Sequence, residues 1–136
     1  MKIETLVMII FACIVMGFII FINLFAWNDK RKMKKERKEY AGFYHDWEVY
    51  CERRDNAFAY RNAKIYPLRK EIKELNEACF YAPKERIKEI EEKMEEKRQE
   101  LFRKEELYTE MYSNLKSQYE ELNRYIEEHN LKYYNY

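Results

Sequence analysis

Glycine and proline are scarce in this chain, and their scarcity limits the fold. Of 136 residues only two are glycine and two are proline, which is far below average usage. Turn-rich architectures need both residues at their connections, so we expect long helices instead. Gly42 is the only glycine outside the apolar N-terminal stretch, which excludes a glycine-rich loop that could hold phosphate.

Cysteine and histidine are also few, and they are widely spaced. Cys13, Cys51 and Cys79 form no CxxC pair, and His45 and His129 each stand alone. This pattern gives neither a disulfide framework nor a zinc site, and buried free thiols are the simpler interpretation. No nucleophile, acid or base pair stands out either. We therefore expect no catalytic residue, no metal, no cofactor and no enzyme activity.

Charge of one sign is not in large excess. The formal net charge is +1, which is too low to indicate a nucleic-acid-binding protein. Its distribution is uneven, because residues 29–67 carry 11 basic and 7 acidic side chains while residues 68–136 carry 14 basic and 17 acidic ones. The basic excess therefore lies in the first part of the chain.

One long apolar run is present, at residues 5–27. It contains 23 residues without a charge, and as a helix it would be about 34 Å long against a hydrocarbon core of about 30 Å. It is too long for the apolar part of a signal peptide, and no cleavage site follows it. The run predicts an uncleaved transmembrane anchor, with Trp27 as its interfacial aromatic residue.

A basic flank follows the anchor directly. Seven of the nine residues from Lys30 to Lys38 are basic, whereas only Lys2 precedes the span. Because lysine and arginine near a span stay on the cytoplasmic side, we expect a cytoplasmic C-terminal domain and an N-terminus outside. The same side chains can contact anionic lipids. The basic flank consists of Lys30, Arg31, Lys32, Lys34, Lys35, Arg37 and Lys38.

Apolar residues beyond the span recur every seven residues, a pattern typical of coiled coils. In the first arm 11 of 13 stripe positions, spaced alternately by four and three residues, are apolar or aromatic, and the two exceptions are arginines. The positions are Tyr40, Tyr44, Trp47, Cys51, Arg54, Phe58, Arg61, Ile65, Leu68, Ile72, Leu75, Cys79 and Ala82. The repeat passes Pro67 without a slip, which predicts that Pro67 kinks one continuous helix rather than ends it.

A second stripe starts out of phase with the first, after a break at residues 79–83. Its members are Ile87, Ile90, Met94, Lys97, Leu101, Lys104, Tyr108, Met111, Leu115, Gln118, Leu122, Tyr125 and His129. Pro83 fits a first helical position, so a new helix should begin there. We therefore predict an anchor at 1–28, a basic juxtamembrane segment and first coiled-coil arm at 29–81, and a second coiled-coil arm with a tyrosine-rich tail at 82–136.

The two arms have similar lengths, which allows either an antiparallel hairpin or an extended parallel dimer. A parallel dimer would place Arg54 and Arg61 against their own copies. In a hairpin folded near Ala82, residues whose numbers sum to about 164 lie opposite each other. Each arginine then lies near glutamate, so the charges favour the hairpin over the dimer. The predicted inter-arm charge pairs are Arg54 with Glu110, and Arg61 with Glu105 and Glu106.

These features predict an all-α, single-pass membrane protein whose cytoplasmic helical hairpin is a non-enzymatic scaffold or adaptor. Its partners would be the bilayer and another protein, or a second copy, bound through the arms. If the tail, residues 132–136, returns to the membrane, its tyrosines should lie at headgroup level. The alternative is a structural coiled coil of opposite topology, spanin-like or division-type, on the extracytoplasmic side.

Overall fold

All regular structure in residues 2–135 is helical. The structure is a computed structural model that describes residues 2–135. Its α-helices are α1 (Ile3–Glu39), α2 (Ala41–Tyr60), α3 (Tyr66–Tyr81) and α4 (Lys84–His129), and a π-helical turn at Arg61–Ile65 joins α2 to α3. The predicted all-α class and the single long apolar N-terminal helix are confirmed.

The chain divides into two compact units. The first unit combines the residues up to Tyr44 with the tail from Leu131, and the second unit is His45–Asn130. In the first unit α1 and α2 are interrupted only at Tyr40 (φ −111°, ψ 39°). The Tyr40 N–H still donates to the Glu36 carbonyl at 2.9 Å. The sequence predicts a single N-terminal transmembrane helix that continues into a long amphipathic helix, but in the structure one residue, Tyr40, separates the two helices.

Pro67 causes the π-helical turn. A proline inside an α-helix cannot donate to the carbonyl four residues earlier, and its ring clashes with that carbonyl, here that of Ala63. The chain widens instead, and the Tyr66 N–H donates to the Arg61 carbonyl five residues back. Residues 41–81 are helical throughout. The prediction that the helix continues through Pro67 therefore agrees with the structure.

The π-helical turn lengthens the spacing between successive buried positions by one residue. Tyr50 and Ala57 are buried seven residues apart, and the next buried position, Ile65, follows after eight. The expected stripe placed Phe58 inward, but Phe58 is 37% exposed whereas Ala57 is 3% exposed. After Pro67 the predicted stripe residues Leu68, Ile72 and Leu75 are buried or half-buried. Before it, the most buried positions, Tyr50 and Ala57, each precede the predicted residue by one, because a π-helical turn contains an extra residue.

The break and the second stripe agree with the sequence. The helix α3 ends at Tyr81, Ala82 and Pro83 are extended, and α4 begins at Lys84. Pro83 precedes the helix as its N-cap rather than occupying its first position. Along α4 every predicted stripe residue is buried or half-buried except His129, which is exposed. The helical period of this arm was thus readable directly from its apolar residues.

The shifted register can be tested at Ala57. We expect Ala57→Lys to destabilise the second unit by about 3 to 5 kcal/mol, because an ammonium group at this buried position loses its water and lies four residues from the like charges of Arg53 and Arg61. The same change at the exposed Ala59 should cost less than about 1 kcal/mol. Thermal unfolding of the full chain in detergent micelles, followed by circular dichroism, compares the two. Equal losses would contradict the burial of Ala57.

Candidate functional site

The apolar part of α1 is uncovered. Its most apolar 18-residue window has a mean hydropathy of 3.0 and no part of it is buried. None of the residues of α1 belongs to the buried core. An apolar surface of this size is unfavourable in water, while a lipid-facing helix presents just such a surface. The helix is therefore long and apolar enough to span a membrane.

The basic flank continues on the same helix, where α1 ends. Of its seven side chains Arg37 is half-buried and the other six are exposed. The Arg31 guanidinium lies 5.8 Å from the centre of the Trp27 ring, an attraction worth about 0.5 to 1 kcal/mol at an exposed site. Trp27 and the first residues of the basic flank therefore form one contiguous surface at the end of the apolar segment.

The C-terminal tail is held on this flank by two carboxylates. One Glu36 oxygen, Oε1, accepts hydrogen bonds from the Tyr44 hydroxyl at 2.8 Å and from the backbone N–H groups of Lys132 at 2.9 Å and Tyr133 at 3.5 Å. The Tyr133 hydroxyl donates to Asp29 Oδ1 at 2.8 Å. We call this arrangement the tail clamp. Asp29 and Glu36 are the acidic residues among residues 29–38, so both accept hydrogen bonds from the tail.

A left-handed residue starts the tail. Asn130 (φ 56°, ψ 42°) ends α4, and asparagine tolerates this conformation better than most residues. The next residue, Leu131, is 5% exposed. The tyrosine tail was predicted to lie at headgroup level. Tyr133 bonds to Asp29, two residues past Trp27, whereas Tyr136 lies outside the described residues.

The environment of Tyr44 keeps its hydroxyl protonated. Burial, then the hydrogen bond to Glu36 and the negative charge of Glu36, raise the pKa of Tyr44 well above its usual range, against a smaller lowering effect of Arg37. The protonated Tyr44 hydroxyl stabilises the folded state, and this contribution is fully present below the unfolded-state pKa of about 10. It is lost as the pH rises from there through the folded-state pKa, because the unfolded chain releases its proton first.

In the second unit, arginine side chains alternate with aromatic rings. The Arg61 guanidinium lies 5.0 Å from the ring centres of Phe58 and Tyr66 and 6.0 Å from that of Tyr108. Arg54 lies 6.0 Å from Tyr50, and Arg69 lies 5.8 Å from Tyr66. We call this set the arginine–aromatic ladder. Its members are Arg54, Arg61, Arg69, Tyr50, Phe58, Tyr66, Tyr108, Tyr112 and Tyr119, the last two through ring contacts with Tyr108 and Tyr50.

The ladder arginines differ in their carboxylate partners. Arg54 pairs with its neighbour Asp55 at 3.4 Å, and Arg69 pairs with Glu105 at 2.7 Å. The structure shows no carboxylate paired with Arg61 within the described residues, and its Nε atom is buried without a hydrogen-bond partner. The central arginine is therefore surrounded by rings and lacks a compensating anion.

The predicted inter-arm charge pairs are replaced by other contacts. Arg54 was expected beside Glu110, and Arg61 beside Glu105 and Glu106, but the partners just described are different. The contacts lie further along α4 than expected, since Arg53 meets Gln118 at 3.5 Å where the predicted register would place residue 111. The contacts of the second unit are therefore centred near the start of α4 rather than at Ala82.

Two parts of these sites were missed by reasoning from the sequence. The tail clamp joins residues 97 positions apart, and no local pattern marks such a pair. The ladder did leave a signal, because Arg54 and Arg61 occupy positions of an otherwise apolar stripe. An arginine there needs either a carboxylate or a ring beside it. The sequence-based prediction named only carboxylate partners for these two arginines.

The tail clamp can be tested by removing Glu36. We expect Glu36→Ala to raise amide hydrogen exchange in residues 131–135 by at least about tenfold, because one charge-assisted hydrogen bond contributes about 1.5 to 3 kcal/mol. The exposed Glu39 provides the matched control, and Glu39→Ala should leave exchange unchanged. Exchange is measured on the full chain in micelles by mass spectrometry. An unchanged rate in Glu36→Ala would show that the clamp does not hold the tail.

Comparison with protein-family models, curated proteins and solved structures returned no match to this chain. Within residues 2–135, no group of three or more His, Cys, Asp or Glu side chains could hold a metal ion. Two surfaces of the described residues are candidates for function: the basic flank of the first unit and the arginine–aromatic ladder of the second.

Proposed function

We propose that this chain is a non-enzymatic adaptor, anchored in a membrane by α1, whose helical part holds a partner protein at the cytoplasmic surface. The observation that carries the proposal is the uncovered apolar segment of α1, followed at once by seven basic residues in nine. An uncovered helix of this length gains free energy in a bilayer and loses it in water. The helices that follow are then confined to the membrane surface.

The proposed orientation rests on the charges beside the span. Seven basic residues follow it and one precedes it, and such a bias retains the basic side in the cytoplasm. Six of the seven side chains are exposed. Each can contribute about 1 kcal/mol of attraction to an anionic leaflet. The basic flank therefore serves both orientation and lipid contact in this proposal.

For the helical part we propose an antiparallel, coiled-coil-like hairpin. Three contacts of the second unit support it. Arg53 donates a hydrogen bond to Gln118 at 3.5 Å, and the ion pairs Arg69–Glu105 and Glu71–Lys97 have N···O distances of 2.7 and 3.1 Å. The residue number in α4 falls as the number in the earlier helices rises. That order is the one that two antiparallel helices produce, and a parallel pairing would reverse it.

The topology can be tested with a reporter that is active only in the cytoplasm. Fused after Tyr136, it should be active, and changing Lys30, Arg31, Lys32, Lys34 and Lys35 to glutamate should lower its activity because the charge bias is reversed. The control changes Lys84, Arg86 and Lys88, at the start of α4, to glutamate. Activity of a periplasm-only reporter at the same site would favour a structural coiled coil of opposite topology.

The hairpin can be tested with the native Cys51. The rings of the preceding residue, Tyr50, and of Tyr119 lie 5.8 Å apart. In a chain lacking Cys13 and Cys79, we expect Tyr119→Cys or Gln118→Cys to form an intramolecular disulfide with Cys51, since a disulfide needs Cα atoms within about 7 Å.

The product should be a fast-migrating monomer on non-reducing gels at every protein concentration. Ser113→Cys is the matched control, because it lies six residues, or about 9 Å of helix, from position 119 and should not react. If all of the variants yield only dimers linked through Cys51, the chain is a parallel dimer and the hairpin is wrong.

A further inference from the structure

A groove in the second unit is lined by the ladder and opens to solvent. It is lined by the rings of Tyr50, Phe58, Tyr112 and Tyr119 and by the buried Leu115. The cavity has a volume of about 230 Å³. The rings of Phe58, Tyr112 and Tyr119 are 37%, 54% and 44% exposed. Exposed aromatic rings gathered in one groove are typical of protein interfaces.

The rim of this groove is positively charged. Arg54 and Lys116 line it, and Arg61, which is next to the groove rather than in its lining, lies 5.0 Å from the centre of the Phe58 ring. Arg54 is neutralised by Asp55, whereas Arg61 has no paired carboxylate among the described residues. The guanidinium group is suited to binding a carboxylate through two parallel hydrogen bonds. The groove therefore combines an apolar lining with cations at its edge.

We infer that this groove docks an acidic amphipathic helix of a partner protein, with an apolar side chain between the rings and a carboxylate on Arg61. The inference names the partner class of the proposed adaptor and rests on that function. A groove between two helices accepts a third helix through apolar anchors spaced one turn apart. Tyrosine and arginine are the residues that most often dominate such interfaces.

The charge of the second unit favours this partner over nucleic acid. Residues 45–130 carry 17 basic and 21 acidic side chains, a net charge of −4, which repels a polyanion at long range. A short acidic helix meets only the local cations of the groove.

Site-specific photocrosslinking in the cells that make the protein tests the inference. The photoreactive residue p-benzoylphenylalanine replaces Tyr112 in the full chain. In the control it replaces Phe102, which is 63% exposed and does not line the groove. We expect a light-dependent product from position 112 and none of that mass from position 102. Mass spectrometry of the product should identify a partner segment with net negative charge.

Two further substitutions test the role of Arg61. We expect Arg61→Gln to reduce the yield by roughly tenfold, the effect of losing one charge-assisted hydrogen bond. Arg98→Gln, at an exposed position of α4, should leave the yield unchanged. Circular dichroism of each variant checks that the helices persist. If Arg61→Gln loses helicity, Lys116→Gln at the exposed rim replaces it and should also lower the yield.

Four results would overturn the inference: no product, a product between two copies of this chain, a product with nucleic acid or lipid alone, or an acidic partner whose yield depends on neither Arg61 nor Lys116. The topology reporter is read separately. A cytoplasmic C-terminus with no acidic partner at the groove would refute the docking site while leaving the anchored orientation intact. An acidic partner at the groove together with an extracytoplasmic C-terminus would support the docking site and refute the proposed orientation.

Discussion

The missing N–H of Pro67 is the constraint on which the second unit depends. An uninterrupted α-helix would drive the proline ring into the Ala63 carbonyl, and the chain avoids this clash with the π-helical turn at Arg61–Ile65. One extra residue in the turn rotates the preceding side chains by about 100° relative to an unbroken helix. This rotation buries Ala57 and leaves Phe58 at the surface, where its ring contacts Arg61.

The position of Arg61 shows how an arginine can occupy an apolar stripe without an ion pair. Three rings lie within 6.0 Å of its guanidinium, and each such contact contributes about 0.5 to 1 kcal/mol or more when water is excluded. An exposed ion pair is typically worth no more than about 1 kcal/mol. The rings therefore offset part of the cost of placing Arg61 in the stripe, while its positive charge has no carboxylate partner among the described residues and its Nε has no hydrogen-bond partner.

Features carried by consecutive residues could be predicted from the sequence: the apolar segment, the helix boundary near Pro83 and the stripe along α4. The register before Pro67 could not, because the pattern is ambiguous there. Tyr50 and Cys51 are both apolar, as are Ala57 and Phe58, so either neighbour can face inward. The seven-residue repeat chose one of each pair, whereas the backbone geometry at Pro67 selects the other. The tail clamp depends on the length of every intervening helix and leaves no local signal.

Several acidic residues of this chain already have hydrogen-bond or ion-pair partners, and the cations that have no carboxylate partner are the ones that can attract anions. In the first unit the tail clamp occupies Asp29 and Glu36, so the carboxylates of the basic flank are already hydrogen-bonded. In the second unit Asp55 and Glu105 are paired with Arg54 and Arg69. The remaining cations have different surroundings, because the basic flank is mostly exposed and Arg61 is half-buried. Exposed charges are screened beyond about 8 Å at physiological ionic strength, and partly buried ones much less. The proposed contact of the flank with anionic lipid should therefore weaken with salt more steeply than the proposed binding of a carboxylate at Arg61.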